Sequence, residues 1–532
     1  MSQRPSPVRT AISAPGPFPA PPRNCPRRPQ RPISARPKHS SSARRTASRF
    51  MAARASPGNP TAAFSTAGPI CSHCRSAVPA IGRGGWWIAS VRRQLKGERP
   101  VDFNDTDQEA EFRREVRDWI ARNAPTELWE TLNSFSFGQA KMDSDALMRH
   151  SKAWQRKKHV GGWACLNWPK AYGGRGATPI ERVIWQQEEG VYAMLSAVFT
   201  LGIGMCGPTL LENASEAQCR RHLPKIASGE EVWCQLFSEP SGGSDLAGLR
   251  TSAKREGDEW VVDGQKIWTT GAHYSDYGLL LARTDFTVPK HRGLTMFYVD
   301  MKTPGIEVRP IKQLNGQSEF NEVYFTGARI PDAQRIGDVG AGWHISLTTL
   351  MNERLAVGGV MPTGFPEMLA FCEALQTDAG PAIEDPDICA HLAGWAIRHL
   401  GLKHTSNRTL SALSNGKLPG PENSIAKLVI SQTLQEIAHY AMSLQGDWGI
   451  LVDEADAVDE GRFQAYLLRS PGMRIEGGTD EILRNIIGER VLGLPADIRV
   501  DKTMPFNQIP VSGTAPSHPA AARSDVVDNR AV

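Results

Sequence analysis

Three clusters of residues have types and spacings that fit chemistry. The first is the stretch Gln235–Thr270, QLFSEPSGGSDLAGLRTSAKREGDEWVVDGQKIWTT. A strand-like run, Cys234–Phe237, breaks into the small-residue loop Ser238–Asp245, where Gly242 and Gly243 let the backbone approach a ligand closely. Two turn signals, Gly257-Asp258 and Asp263-Gly264, lead on to Trp268-Thr269-Thr270. A glycine–serine loop after one strand and a tryptophan on the next fit a site for a flat, phosphate-bearing cofactor. The plainer alternative is a β-domain loop with a core tryptophan. The second cluster is Leu347–Leu355, which carries Glu353 and Arg354. A carboxylate shielded from water can remove a proton, whereas on a solvated helix face the same pair is an ordinary ion pair. The third is Arg474-Ile475-Glu476-Gly477-Gly478-Thr479, followed by Asp480 and Glu481. Thr479 reads as an N-cap with two acids in the first turn. Glycines before a helix start leave N–H groups available to a ligand, the alternative being a cap with no ligand.

These clusters need elements to carry them. From Val101 the pattern is helical: Thr106-x-x-Glu109 is a capping box, and Phe112, Val116, Trp119 and Ile120 form one apolar face before Pro125. A second helical region covers about Asp143–Lys158, and helical patterns resume from Thr178 to about Cys219. From Glu231 to about Pro331 the period becomes two, with short runs at Glu259–Asp263, Tyr277–Arg283, Leu294–Val299, Ile306–Ile311 and Glu322–Phe325. Helices return at His344–Val357, Ile388–Leu413, Ser424–Leu444 and Asp480–Leu492. The expected fold is α+β: an N-terminal helical domain (101–230), a middle β-sandwich or barrel carrying the glycine loop (231–335) and a C-terminal four-helix bundle (336–498). Residues 499–532, polar and Pro/Ala-rich, read as a disordered tail.

The combination SEP-x-GGSD followed by KIWTTG, with WP-x-x-YGG-x-G upstream, resembles the acyl-CoA dehydrogenase family over about residues 101–498. The resemblance implies FAD as cofactor. Gln235, Phe237, Ser238, Gly243, Ser244, Trp268, Thr269 and Thr270 would surround the flavin, Trp268 covering its face and the Thr270 hydroxyl pointing towards N5. Thr479 and Glu481 would touch the flavin nucleotide. Substrate contacts would come from Ser244, Arg354, Gly477 and Gly478, with the Gly477 amide on the thioester carbonyl. The implied base is Glu353, as in the branched- and long-chain branches; Glu476 is the alternative, although alignment on Gly478-Thr479 puts Gly477 at the C-terminal acid position of other members. Glu353 would take the α-proton while the β-hydride passes to flavin N5, giving a trans-2-enoyl-CoA, with electrons then passing to an electron-transfer flavoprotein. Two family features are missing. The Arg-x-x-Phe-Gly motif is replaced by Ala370–Gly380, and Q-x-x-GG-x-G becomes Gln445-Gly446-Asp447-Trp448-Gly449. Both normally serve contacts between subunits, and their loss resembles a bacterial branch that includes steroid side-chain dehydrogenases. Either a homo-oligomer or a heterotetramer with a second, similar chain is expected. Other readings on the same scaffold are a non-catalytic partner subunit and an acyl-CoA oxidase or flavin monooxygenase. Acyl specificity depends on packing around Ala197–Met205 and Leu347–Leu355.

Charge divides the 532 residues unevenly. Residues 1–100 hold 18 Lys and Arg against one acid, Glu98, while the remainder has 43 basic and 55 acidic residues. The overall +5 therefore describes no folded unit and is no nucleic-acid footprint. The basic leader is expected to be disordered. It reads as translated upstream sequence with a start near Val101, as a mitochondrial transit peptide, or as a tail for an acidic partner. A cytoplasmic location is expected, with the mitochondrial matrix as the alternative. Only Cys71-Ser72-His73-Cys74 has metal-like spacing, with no second pair, so no metal site is expected. Cys165, Cys206, Cys219, Cys234, Cys372 and Cys389 suit reduced, buried thiols, and no apolar run is long enough to span a membrane.

Overall fold

A computed structural model describes residues 105–133, 142–357, 363–415, 420–452, 456–496, 501 and 503–509, without the side chains of 353–357 and 414. The basic leader and its Cys71–Cys74 motif lie outside the described residues. Helix Asp107–Asn123 starts on the capping box: Thr106 Oγ1 accepts from Glu109 N–H (3.3 Å) and the Glu109 carboxylate accepts from Thr106 N–H (2.7 Å). Its apolar face packs Phe112, Val116, Trp119 and Ile120 against Trp163 and Trp185. Beneath them buried Glu189 accepts from Trp154 Nε1 (2.9 Å), Trp185 Nε1 (2.7 Å), Lys158 Nζ (2.8 Å) and Ser196 Oγ (2.6 Å), so this carboxylate is buried but fully engaged. The region expected to be helical from Thr178 breaks into pieces, with a π-turn at Gly202–Cys206 and a proline within Glu216–Ser228.

The middle part is one continuous sheet. Its strands are β1 (Trp233–Leu236), β2 (Ser252–Glu256), β3 (Glu259–Thr270), β4 (Tyr277–Arg283), β5 (Leu294–Asp300), β6 (Ile306–Pro310), β7 (Phe320–Pro331) and β8 (Arg335–Ile336). They pair in the order β6-β7-β3-β2-β4-β5-β8, with β1 parallel to β4. Strand β4 is buried on both faces, and its alternation assigns each residue to one of two cores. Leu279 and Leu281 pack with Trp168, Leu210, Leu223 and Ile226 of the helical domain, while Leu280 and Ala282 pack with Trp260, Val262 and Val323 of the sheet. β3 and β7 are longer than the sequence pattern indicates. Asp263-Gly264, which reads as a turn, is instead a register shift inside β3. There Gly264 holds φ 152°, and a Cβ would fall 2.5 Å from Thr251 Oγ1.

Helix Gly342–Val357 packs against the sheet and against the segments Gly202–Cys206 and Gly207–Asn213. Gly342 begins it so close to β5 that a Cβ would stand 2.7 Å from the Leu294–Thr295 backbone, and Ile345, Trp343 and Leu350 join the core under the sheet. The bundle core is made by helices Phe365–Ala374, Pro386–Ser414, Asn423–Gln445 and Arg462–Met473 through Met368, Phe371, Ile388, Leu392, Trp395, Ile437 and Phe463. The first and last of these were not expected; Pro471 and Gly472 inside the last mask its pattern. Helix Asp480–Ile486 continues only as a π-turn to Val491. The reading of 499–532 as a disordered tail fails for Asp501 and residues 503–509. Phe506 is buried, and Phe506 N–H donates to Val288 O and Asn507 N–H to Phe286 O, each at 2.9 Å. The six cysteines among the described residues are free and buried, as expected.

Candidate active site

The loop and the tryptophan strand of the first cluster are joined. Ser238 C=O accepts from Ile267 N–H at 2.9 Å, so the loop start lies beside the residue before Trp268. Below, fully buried Lys266 donates to Phe237 C=O (3.0 Å) and to Glu239 Oε1 (2.8 Å), and the Glu239 carboxylate also accepts from Arg250 N–H (2.6 Å) and Thr251 N–H (2.9 Å). Burial alone would push the Glu239 carboxyl up. The charge and hydrogen bond of Lys266, with the donors at Thr251 and Arg250, outweigh it and hold Glu239 below its ordinary value. The loop closes on itself through Glu239 N–H to Gly242 O (3.1 Å) and Gly242 N–H to Glu239 O (3.0 Å). Gly243 and Ser244 are exposed at its tip, and a Cβ on Gly243 would meet nothing within 4 Å.

Trp268 is not a core tryptophan. It sits at a second register shift between β3 and β7, between Lys266 and Thr269, with φ 60°, and its side chain is 55% exposed. Left-handed backbone is costly for a bulky residue and tends to persist where a site uses it. The shift turns the indole outward, edge-on to Phe320 at 6.0 Å. Thr269 is buried beside it with a hydroxyl that has no hydrogen-bond partner, and its carbonyl accepts from Asn321 Nδ2 (2.9 Å). Thr270 and Gln235 are half-buried and Phe237 is buried.

Helix Gly342–Val357 carries the second cluster. Buried Thr349 Oγ1 lies 2.9 Å from Thr209 Oγ1 of helix Gly207–Asn213, and the helix also packs on the π-turn Gly202–Cys206, so the two segments expected to shape the acyl pocket do meet. Along the same helix Leu347 and Met351, one turn apart, present exposed apolar side chains. Glu353 lies one turn beyond Thr349 on the backbone, with Arg354 next; the side chains of both lie outside the described residues.

The third cluster is a clamped loop. Gly477 and Gly478 hold φ 60° and 101°, which side chains other than glycine rarely adopt. The base of the loop is closed by Asp480 N–H to Arg474 O (3.1 Å) and by Arg474 Nε and Nη2 on Asp480 Oδ2 (2.8 and 2.6 Å). Lys427 Nζ donates to Gly478 C=O at 2.6 Å. Burial pushes the Asp480 carboxyl up, but Gln432 and Arg474 outweigh it and leave it below its ordinary value. Thr479 caps the helix as expected, accepting from Ile482 N–H (3.2 Å), and Glu481 is exposed in the first turn. Glu476 is engaged elsewhere, accepting from Arg469 Nη2 at 2.7 and 2.8 Å. No hydrogen bond among the described residues links this loop to Ser238–Thr270. An open groove of about 610 Å³ between helices Pro386–Ser414 and Asn423–Gln445, lined by His391, Trp395, His439 and Tyr440, contains none of the expected site residues.

A helical domain, a sheet with a glycine loop and an outward tryptophan, and a second helical domain make up the acyl-CoA dehydrogenase architecture. The N-terminal, middle and C-terminal acyl-CoA dehydrogenase domains match residues 106–230, 234–328 and 340–492 in that order, and the chain belongs to the acyl-CoA dehydrogenase family. It is thus an oxidoreductase acting on CH–CH bonds, in a family that is FAD-dependent. Acyl-CoA dehydrogenase IpdE1 of Mycobacterium tuberculosis is 34% identical over 392 residues, spanning 73% of this chain and 98% of that protein. Among solved structures, a chain of the ChsE4–ChsE5 complex from Mycobacterium tuberculosis is 30% identical with a TM-score of 0.61, covering 74% of this chain and all of that one. A chain of the Tcur3481–Tcur3483 steroid acyl-CoA dehydrogenase is 27% identical, also with a TM-score of 0.61 and the same coverage. These place the chain with the steroid-related bacterial branch, and such bacterial relatives lend no support to a mitochondrial location. Among the described residues no single helix is long and apolar enough to cross a membrane, and no group of three metal-ligand side chains occurs.

Proposed function

We propose that the chain is an FAD-dependent acyl-CoA dehydrogenase that forms a trans-2-enoyl-CoA, with Glu353 as the base. The observation that carries this reading is the outward, left-handed Trp268 held beside the start of the Ser238 loop: a strained, exposed indole, a loop that carries an open glycine and an unpartnered Thr269 hydroxyl fit a flat ring. Ser238, Gly243, Ser244, Trp268 and Thr270 would hold FAD, with Thr479 and Glu481 on its nucleotide portion. When bound, FAD supplies the hydride acceptor. Glu353 removes the α-proton of the acyl thioester; the Gly477 amide, kept in place by the Arg474–Asp480 clamp, steadies the negative charge gathering on the thioester oxygen. Arg354 shapes the surroundings of the base. Glu476 is the weaker base, since its carboxylate is already committed to Arg469.

Exposed Leu347 and Met351 on the base helix give the acyl group an apolar wall, and the likeness to a steroid acyl-CoA dehydrogenase favours a bulky, steroid-derived acyl chain. An electron-transfer flavoprotein is the proposed acceptor. Trp448 and Ile450, exposed where the family glycines are replaced, suit a second acyl-CoA dehydrogenase-like chain, in line with a relative solved as a two-protein complex. Anaerobic mixing of the yellow protein with a panel of acyl-CoA thioesters, including steroid side-chain thioesters, tests the reading: at least one must bleach the flavin band, and bleaching by none would refute it.

A further inference from the structure

Two cations brace the far end of the glycine loop, and the C-terminal segment covers both. Arg283 is fully buried and donates to Ala247 O (2.5 Å), Leu249 O (3.0 Å) and Lys290 O (3.0 Å). The first two carbonyls belong to the turn that follows Ser238–Asp245. Lys290 Nζ donates to Asp245 Oδ1 (2.8 Å) and Oδ2 (3.0 Å), gripping the last residue of the loop, and pairs with Asp501 at 2.5 Å. Phe506 closes over the arrangement: its ring centre lies 3.6 Å from the Arg283 guanidinium carbon and 5.2 Å from that of Arg250, beside Phe286 at 5.8 Å. The segment is fastened by two backbone hydrogen bonds to Phe286 and Val288 and by a bridge between Pro289 and Pro505. A guanidinium with an aromatic ring on its face is shielded from water, which strengthens its bonds to the loop carbonyls.

We propose that Asp501 and residues 503–509 form a strap that fixes the flavin loop, with Phe506 and Asp501 as positioning residues acting through Arg283 and Lys290. The inference rests on reading Ser238–Thr270 as the FAD site. With Phe506 removed, water reaches Arg283 and competes for the Ala247 and Leu249 carbonyls. With Asp501 neutralised, Lys290 keeps only Asp245. Either change loosens the loop from its Asp245 end, while Lys266 still holds its Ser238 end.

The test uses the full-length holoprotein with Phe506→Ala, Phe506→Trp and Asp501→Asn. Two quantities are read: FAD affinity by flavin fluorescence, and backbone hydrogen exchange over 238–249. Phe506→Ala is expected to weaken FAD about tenfold, within the range spanned by a single cation–π contact, and to speed exchange in 238–249 while the bundle helices are unchanged. Phe506→Trp, which keeps an aromatic face over Arg283, should restore both, and Asp501→Asn should give a smaller loss. Unchanged affinity and exchange in Phe506→Ala would overturn the proposal. So would a loss of protection spread evenly over the chain that Trp does not rescue. A wild-type protein that binds no FAD refutes the flavin reading instead, and exchange over 238–249 still reports on the strap.

Discussion

Replacing Lys266 by methionine removes the charge that holds the start of the flavin loop. Lys266 is completely buried, and its ammonium has two partners, Phe237 C=O at 3.0 Å and Glu239 Oε1 at 2.8 Å. Methionine nearly matches the length of the stem but leaves the Glu239 carboxylate with only the Arg250 and Thr251 N–H groups. An unpaired buried charge of this kind costs about 3–5 kcal/mol, and the orphaned Phe237 carbonyl lies within that figure. The double variant Lys266→Met/Glu239→Gln removes both charges. Its glutamine oxygen still accepts from one of the two N–H groups, so the loss should shrink to about 1–2 kcal/mol. The second substitution should therefore recover about 2–3 kcal/mol, a lower limit on the favourable coupling, to which any loss in Glu239→Gln alone adds. Urea denaturation of the wild type, both single variants and the double variant, at one fixed FAD concentration, measures it. A Lys266→Met loss below about 1 kcal/mol, or a double variant less stable than Lys266→Met alone, would refute the view that this pair fixes the loop.

Two further outcomes follow from the same geometry. Trp268→Gly relieves left-handed strain, so the apoprotein should lose no stability and gain up to about 1 kcal/mol, while FAD affinity falls; a core tryptophan would instead cost about 3–5 kcal/mol on truncation, which thermal unfolding of the apoprotein distinguishes. Asp480 titrates below its ordinary 3.8 in the folded protein. Its contribution to stability is therefore fully present above that value and is lost as pH falls through the depressed one. Asp480→Asn should accordingly be less stable than wild type at neutral pH, and the gap should narrow on acidification below about 4; a gap that is constant across an acid titration followed by tryptophan fluorescence would contradict the assignment.

Local signals in the sequence were legible where the structure obeys local rules. Thr106 and Glu109 cap their helix, Thr479 caps another, and the apolar run of β4 lies in the sheet. The three-part order of helix, sheet and helix follows from changes of hydrophobic period alone. What escaped depends on contacts distant in sequence. Nothing in KIWTTG announces that Trp268 takes a left-handed backbone, because the shift arises from pairing with β7. Asp263-Gly264 has the composition of a turn yet serves as a bulge inside a long strand. Phe506 is a lone aromatic in a polar, proline-containing stretch, and its burial follows from contacts distant in sequence, with the Arg283 guanidinium and the Phe286 ring. Helix Gly342–Val357 has a legible pattern, but its attachment to β5 depends on the close approach at Gly342, and that attachment is what ties the Glu353 segment to the sheet.

The identity of the base is tested most directly by mixing Glu353→Gln, Glu476→Gln and wild-type holoprotein anaerobically with an acyl-CoA that bleaches the wild-type flavin. The account predicts that Glu353→Gln stays yellow, keeps its FAD and binds the thioester, yet bleaches at least about 1,000-fold more slowly, as expected when a general base is lost, while Glu476→Gln bleaches at close to the wild-type rate. Rapid bleaching of Glu353→Gln together with a dead Glu476→Gln would contradict it.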